Sequence, residues 1–349
     1  MRTFECDYTE GAHPRLLEAL TRTNLEQMSG YGADPYTARA AEKIQTACEA
    51  PDATVTFLVG GTQTNLIAID LLCEPFEGVL SPRTGHINVH EAGAIECTGH
   101  KVLALPEQDG VLDVDVLESY LAAFYADATH EHMVRPGLLY LTHPTEMGTL
   151  YTMAQLQRIR ALCDRYEVKL YVDGARLGYA LGCPENELTL PALARLCDAF
   201  SIGGTKLGAL CGEALVFTKT APGHLLSRVK RRGGLLAKGR VTGVQFDAFF
   251  TGDLYTEIGK EAIRLARRIR AILAEKGYPF AWESPTNQQF VLLSNAEADA
   301  LIKVVGFDLW GKTDPEHWIA RFTSSWSTTD ADVDALRAVL PRKEDLFGI

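Results

Sequence analysis

The run VKLYVDGAR (residues 168–176) is an apolar segment that ends on an acid followed by a glycine. Such a run predicts a buried β-strand, which would leave Asp173 at the carboxyl edge of a sheet. Open α/β sheets form their binding sites at that edge, and a partly desolvated carboxylate there favours a positively charged partner. The alternative is that Asp173 only caps the next helix.

Apolar segments of the same kind recur on both sides of this run. They are TVTFLV at 54–59, KVLALP at 101–106, GLLYLTH at 137–143, AFSIGG at 199–204 and EALVFT at 213–218. Amphipathic stretches separate them, so we predict a three-layer α/β fold with a mostly parallel sheet covered on both faces. After a long helix at about 253–276, the pattern changes to that of a small α+β domain. The predicted divisions are an N-terminal segment at 1–35, a large domain at 36–250 and a small C-terminal domain at 251–349.

The composition narrows the class of protein. The 349 residues carry a formal net charge of −11, which argues against a nucleic-acid binder or a polybasic membrane-surface protein. Eight cysteines are scattered without a CxxC pair, so we predict reduced thiols, no metal site and a cytoplasmic protein. The sequence shows neither a signal peptide nor an apolar run long enough to span a membrane.

Two other predicted strands end in features that suit a site at the same edge. Gly60-Gly61-Thr62-Gln63 opens a helix, where glycines and free N–H groups suit a phosphate, although a tight turn explains the glycines equally well. The segment is neither a GxGxxG fingerprint nor a P-loop. Lys206 lies among glycines after the strand at 199–204 and is either a solvated lysine or an imine-forming nucleophile.

Asp173 and Lys206 are 33 residues apart, the length of one helix and one further strand. Their side chains would therefore lie at the same edge of the sheet. Pyridoxal phosphate needs a phosphate-binding loop, an acid facing its pyridine nitrogen and a lysine that forms a Schiff base. The three features together predict a pyridoxal-phosphate site.

Five segments then carry a resemblance, in order along nearly the whole chain. They are YGADP at 31–35, GGTQTN at 60–65, HIN with EAG at 86–93, DGAR at 173–176 and GTK at 204–206. With them, the chain resembles the threonine aldolase and β-eliminating lyase family of pyridoxal-phosphate enzymes, which has the aspartate-aminotransferase fold (fold type I). The resemblance includes the low-specificity threonine aldolases.

The resemblance implies how the cofactor would be held. Lys206 would bind it covalently, Asp173 would pair with the pyridine nitrogen, and His86 would stack on the ring and take part in proton transfer. The other cofactor-binding residues would be Gly61, Thr62, Gln63, Thr205 and, from a neighbouring subunit, Arg240. The shared Arg240 implies a homodimer or homotetramer.

The resemblance also implies the substrate contacts. Arg176 and Arg321 would bind the carboxylate of an amino-acid substrate, because a planar guanidinium can donate two parallel hydrogen bonds to it. Asp7 would line the substrate site. Relatives carry a Thr-His pair whose histidine handles the substrate hydroxyl, but here Glu146 follows Thr145, and His143 lies three residues earlier. Glu146 would then act as a base or bind a water molecule in place of that histidine, or else the reaction differs from that of the relatives.

We therefore expect retro-aldol cleavage of β-hydroxy-α-amino acids, such as threonine or allo-threonine, to glycine and an aldehyde. The expected catalytic residues are Lys206, His86, Glu146 and His143. Two alternatives stay open: β-elimination from another amino acid, which the Glu146 substitution motivates, and a pyridoxal-phosphate-binding protein without catalysis. A dinucleotide dehydrogenase is disfavoured, because no GxGxxG follows the first strand.

Overall fold

The computed structural model describes residues 3–346. The strands are β1 Thr54–Leu58, β2 Glu77–Pro82, β3 Val102–Leu105, β4 Glu107–Gln108, β5 Val111–Leu112, β6 Arg135–Thr142, β7 Lys169–Asp173, β8 Ala199–Gly203, β9 Glu213–Phe217, β10 Gln288–Ser294, β11 Asp308–Asp314 and β12 His317–Thr323. The helices are α1 Pro14–Thr23, α2 Pro35–Ala47, α3 Gly61–Leu72, α4 His86–Val89, α5 Val114–Ala126, α6 Met153–Arg165, α7 Leu177–Gly182, α8 Leu190–Leu196, α9 Leu225–Arg231, α10 Arg240–Phe249, α11 Leu254–Glu275, α12 Asn295–Leu301 and α13 Asp330–Val339. None of the helices described combines the length and the apolarity needed to cross a membrane.

Seven strands form the main sheet, in the order β1-β9-β8-β7-β6-β2-β3. Adjacent strands from β8 to β3 run parallel, whereas β9 is antiparallel to both of its neighbours. The predicted mostly parallel sheet is confirmed. Sequence patterning missed β2, because a glycine, a serine and a proline interrupt the apolar pattern of EGVLSP although all six residues are buried.

Helices cover both faces of this sheet. Tyr171 of β7 packs with Ile67 of α3 on one face, while Leu170 and Val172 pack with Leu156 of α6 on the other. Because β7 is buried on both faces, it is apolar along its length and is the kind of strand that a parallel sheet requires.

The C-terminal part of the chain has its own core. Strands β10, β12 and β11 form an antiparallel sheet, and Leu273 of α11 and Leu336 of α13 pack with Phe322 of β12. The predicted long helix is α11, and the predicted last helix is α13, which begins with a capping box between Thr329 and Asp332. The residue limits of the predicted domains stay predictions.

Helices α7 and α11 approach each other through glycines. A Cβ atom at Gly259 of α11 would collide with the backbone carbonyl of Gly178 in α7, and one at Gly182 would collide with the backbone of Gly259. Helix α7 directly follows Arg176. The close approach therefore packs the long helix against the segment that carries the DGAR motif.

Replacing Gly259 with alanine should destabilise the protein, because the obstructing atoms belong to backbone and cannot move aside. We expect a loss of about 1–3 kcal/mol in the free energy of unfolding, measured by urea denaturation. Gly311→Ala is the matched control, since no heavy atom lies within 4 Å of a Cβ built there. Equal effects of the two substitutions would contradict the packing described.

Candidate active site

The carboxylate of Asp173 ends β7 at the edge of the sheet and is held in one orientation. Its Oδ2 accepts hydrogen bonds from Asn65 Nδ2 at 2.9 Å and from the Tyr140 hydroxyl at 2.8 Å. Its Oδ1 accepts from the backbone N–H of Ala175 at 2.9 Å and from the Ser201 hydroxyl at 3.3 Å. Four hydrogen-bond donors fix the orientation of this buried carboxylate.

The first turn of α3 lies at the same edge and is open. No side chain caps it, and Cβ atoms built at Gly60 and Gly61 would meet nothing within 4 Å. Thr62 is exposed. Gln63 bonds instead with the N–H of Val59 and the carbonyl of Arg232, so it holds the surrounding loop. Free N–H groups at a helix start suit an anion.

Lys206 lies in a 3₁₀ turn, Thr205–Leu207, directly after β8. The backbone N–H of Thr205 donates to the carbonyl of Gly212 at 3.1 Å, and the Tyr179 hydroxyl donates to the carbonyl of Lys206 at 2.6 Å. The turn is therefore fixed to its neighbours, while the side chain of Lys206 is only partly buried.

His86 opens α4 and forms a hydrogen bond through Nδ1 with Glu91 Oε1 at 2.7 Å. Because a carboxylate accepts, we assign the proton to Nδ1, which leaves Nε2 for other partners. Burial alone would lower the pKa of His86, but the bond to Glu91 and the charges of Glu146 and Asp173 raise it overall. Stability from the pair is therefore present below pH 6.5 and is lost as the pH rises through the raised pKa.

Asn65 joins the two carboxylates of this edge. Its Nδ2 donates to Glu91 Oε1 at 2.7 Å as well as to Asp173, and its Oδ1 accepts from the Tyr171 hydroxyl at 2.8 Å. The positions of His86 and Asp173 are thus coupled through one buried amide. Sequence reasoning assigned no role to Asn65 or Glu91, although both lie in quoted motifs, and a single neutral amide gives no chemical signal of such a link.

Asp7 and Arg176 form a buried ion pair. Nε of Arg176 lies 2.7 Å from Asp7 Oδ2, and Nη2 lies 3.0 Å from Oδ1. Burial would raise the pKa of Asp7, but the charges of Arg176 and Lys206 hold it below its usual value. Two of the three guanidinium nitrogens of Arg176 are thereby engaged, and Nη1 lies 3.9 Å from Glu146 Oε2.

Arg321 lies on β12 and brings a second guanidinium to this region. Nη1 donates to Gln288 Oε1 at 2.9 Å, and Nη2 lies 2.8 Å from Asp308 Oδ2. Nε is buried and has no hydrogen-bond partner within residues 3–346. The guanidinium lies 4.6 Å from the ring centre of Trp310. Burial, followed by the charge of Arg176, lowers its pKa.

The two candidates for handling a substrate hydroxyl are in different surroundings. Glu146 is close enough to Arg176 and His86 for its charge to raise the pKa of both. The ring of His143 instead bonds with Asn186 Oδ1 at 2.9 Å, and burial lowers its pKa to about 4. The structure therefore places Glu146 where its charge acts on His86 and leaves His143 as a neutral, buried ring bonded elsewhere.

Arg240 begins α10, and its guanidinium donates to the carbonyls of Thr23 and Glu26 in its own chain. These bonds connect α10 to the end of α1. The hydroxyl of Thr205, another expected cofactor contact, accepts from the N–H of Gly212 at 3.2 Å.

Solved structures that resemble this chain identify its fold class. The fold matches histidinol-phosphate aminotransferase from Clostridium acetobutylicum with a TM-score of 0.73 at 13% identity, covering 99% of this chain and 100% of that one. At this identity the likeness shows the fold alone, which is the pyridoxal-phosphate fold type I. The predicted fold class is confirmed.

The chain belongs to the beta-eliminating lyase family, whose model matches residues 6–296. It is 30% identical over 341 residues to the low specificity L-threonine aldolase of Pseudomonas aeruginosa, covering 96% of this chain and 94% of that protein. It is 40% identical to the solved structure of a Leishmania major threonine aldolase, with a TM-score of 0.93 and coverage of 97% and 98%. The protein is therefore a lyase, and the resemblance found in the sequence is confirmed.

Replacing Glu91 with glutamine should lower the pKa of His86. The substitution removes the negative partner and leaves the burial, so we expect a fall of about one unit, followed by NMR titration of the His86 ring. Glu96→Gln, which changes an exposed acid on the next turn, should leave the titration unchanged. An unaltered pKa in Glu91→Gln would contradict the assigned hydrogen bond.

Proposed function

We propose that this protein cleaves β-hydroxy-α-amino acids such as threonine into glycine and an aldehyde, with pyridoxal phosphate as its cofactor. The observation that carries the proposal is the meeting of Asp173, Lys206 and His86 at one sheet edge, beside two buried arginines. The relatives named threonine aldolases support the class of substrate.

The residues present fit this cofactor. The open start of α3, at Gly61 and Thr62, offers N–H groups to a phosphate. Asp173 would pair with a protonated pyridine nitrogen, and Lys206 offers the amine that would hold the cofactor. When bound, pyridoxal phosphate supplies a ring that takes up the electron pair of the breaking Cα–Cβ bond.

The substrate carboxylate binds Arg321 in this proposal. The guanidinium is buried, and its Nε has no partner in the described part of the chain, so an incoming carboxylate would satisfy it. Arg176 adds Nη1, while its other two nitrogens stay on Asp7. The two arginines orient the substrate by charge and by planar geometry.

Two protons must move in the reaction. Glu146 removes the proton of the β-hydroxyl, taking the place of the histidine found in relatives. The Nδ1 of His86 is bound to Glu91, and the raised pKa of the ring favours a second proton on Nε2. His86 donates this proton to Cα to complete glycine, and the proton held by Glu146 then replaces it. We assign no proton to His143, because its ring is buried against Asn186.

Glu146 also favours a second candidate, β-elimination from serine, cysteine or an aromatic amino acid. Release of pyruvate and ammonia from such a substrate, without aldehyde from threonine or phenylserine, would establish this second reaction. Aldehyde and glycine in equal amounts from a panel of β-hydroxy amino acids would establish the first. A protein that binds the cofactor and turns over no amino acid would be a non-catalytic binder.

We further propose a homodimer or homotetramer in a reducing, cytoplasmic setting. Leu25, Tyr31 and Leu226 expose 92%, 53% and 62% of their surfaces, and a subunit contact beside Arg240 would cover them and bring that arginine to a neighbouring phosphate. The eight cysteines are free thiols, which supports a reducing compartment.

Lys206→Ala should abolish both the yellow absorbance of the purified protein and its turnover of threonine and phenylserine. The amine that holds the cofactor would be gone, while the phosphate and carboxylate contacts remain. Lys101→Ala, at an exposed position, is the matched control. Full absorbance and turnover in Lys206→Ala would overturn the assignment.

Glu146→Gln should lower kcat for phenylserine cleavage by about 10²–10⁴-fold, the usual contribution of a general base. Because the amide keeps the shape of the side chain, KM should change far less than kcat. Glu131→Gln, at an exposed position away from the site, should leave both constants unchanged. A normal kcat in Glu146→Gln would assign the hydroxyl proton to another group.

A further inference from the structure

Glu213 is a buried acid to which the proposed mechanism gives no role. It is the first residue of β9 and is 4% exposed. Its Oε2 has no hydrogen-bond partner among the residues described. A buried carboxyl oxygen left unsatisfied is costly, so its retention beside a reactive site calls for a functional explanation.

The sheet register places Glu213 on the face of the sheet that α3 covers. Strand β9 runs opposite to its neighbours, so its first residue lies at the carboxyl edge of the parallel strands. Glu213 is paired with Gly203 on β8 and with Leu58 on β1. Paired residues in antiparallel strands point to the same face, and Leu58 packs with Tyr171 and Ile67 in the cluster under α3. Gly203 has no side chain to cover the acid.

The same register brings Glu213 close to the turn that carries Lys206. That turn begins two residues after Gly203, and the N–H groups of Gly204 and Thr205 bond with the carbonyl of Gly212, next to Glu213. Burial raises the pKa of Glu213 to about 8, and the nearby charge of Lys206 opposes that rise.

Other groups face this acid from the elements packed around it. The negative charge of Asp173 adds to the rise in the pKa of Glu213, and hydrogen bonds from Thr205 and Gly204 reduce it. The remaining titratable groups near it are Tyr171, Tyr255 and Cys211. Burial raises the pKa of each of these three, and Lys206 is the positively charged neighbour of Glu213.

We propose that Glu213 and Lys206 share one proton, so that the lysine nitrogen is unprotonated when Glu213 is a neutral carboxylic acid. In the exchange, the O–H bond of Glu213 breaks and an N–H bond forms on Lys206, which leaves a carboxylate beside a protonated nitrogen. The exchange needs no other reactant. In the reverse direction Glu213 takes the proton from Lys206, so Glu213 acts through Lys206 by leaving the nitrogen with a free electron pair. The inference rests on the proposed role of Lys206 in holding the cofactor.

The test is a pH titration of the visible absorbance of the cofactor-loaded protein without substrate. An ionised Glu213 stabilises a proton on the lysine nitrogen, and an amide does not. In Glu213→Gln the midpoint should therefore fall by about one pH unit or more, and a two-step curve in the wild type should become a single step. Coincident curves for wild type and Glu213→Gln would overturn the proposal.

A matched control is Glu77→Gln. Glu77 is another buried acid, 5% exposed, but it begins β2 at the opposite edge of the sheet and pairs with Arg135. Its replacement should leave the titration midpoint unchanged. Glu213→Asp keeps an acid one methylene shorter and should restore much of the wild-type midpoint. If Glu213→Gln fails to fold, the infrared comparison of wild type with Lys206→Ala tests the shared proton in its place.

The infrared measurement follows the acid itself in the full chain. At neutral pH, wild type should show the C=O stretch of a buried carboxylic acid, which Glu213→Gln lacks. Lys206→Ala should increase that signal, because loss of the positive neighbour favours the protonated acid. No such band in wild type, or no change in Lys206→Ala, would refute the shared proton. Visible absorbance retained in Lys206→Ala would instead refute the proposed role of Lys206.

Discussion

The buried ion pair between Arg176 and Asp7 is the interaction on which the candidate active site depends. Both side chains are almost fully removed from water, so loss of either partner would leave an uncompensated charge, at a cost of about 3–5 kcal/mol. The pair joins the N-terminal segment to the loop after β7. Asn287, which precedes β10, adds a hydrogen bond to Asp7 at 3.0 Å. Three distant parts of the chain therefore meet at one charge pair.

Two kinds of buried polar group lie around this pair. Both carboxylate oxygens of Asp173 accept hydrogen bonds, and the side-chain amide of Asn65 both donates and accepts. This satisfied network holds the two side chains rigidly. Among the residues that the structure describes, Arg321 Nε and Glu213 Oε2 are buried without hydrogen-bond partners. The satisfied groups fix the positions of the side chains at this site. The unsatisfied groups can bind something further: a substrate carboxylate in the proposal for Arg321, and a shared proton in the inference for Glu213.

Much of the fold was predictable from local pattern. Apolar runs with turn residues at their ends predicted six of the seven strands of the main sheet, and helical spacing predicted α11 and α13. Strand β2 was missed, because its burial comes from its position between β3 and β6 rather than from apolar side chains. Strand order and the reversed direction of β9 depend on contacts between segments far apart in sequence, which no local pattern contains.

For the candidate site, the chain itself determined which chemically distinctive residues follow strands, and hence that Asp173 and Lys206 lie at one sheet edge. Only the tertiary structure decided how each is used. It paired Arg176 with Asp7, placed Glu146 where its charge acts on His86 while His143 bonds with Asn186, and placed Glu213 near the turn that carries Lys206. The physical reason is that charge, hydrogen bonding and desolvation act between side chains that are neighbours in space. Strand-end position follows from local sequence, whereas those neighbours are set by the packing of the whole chain.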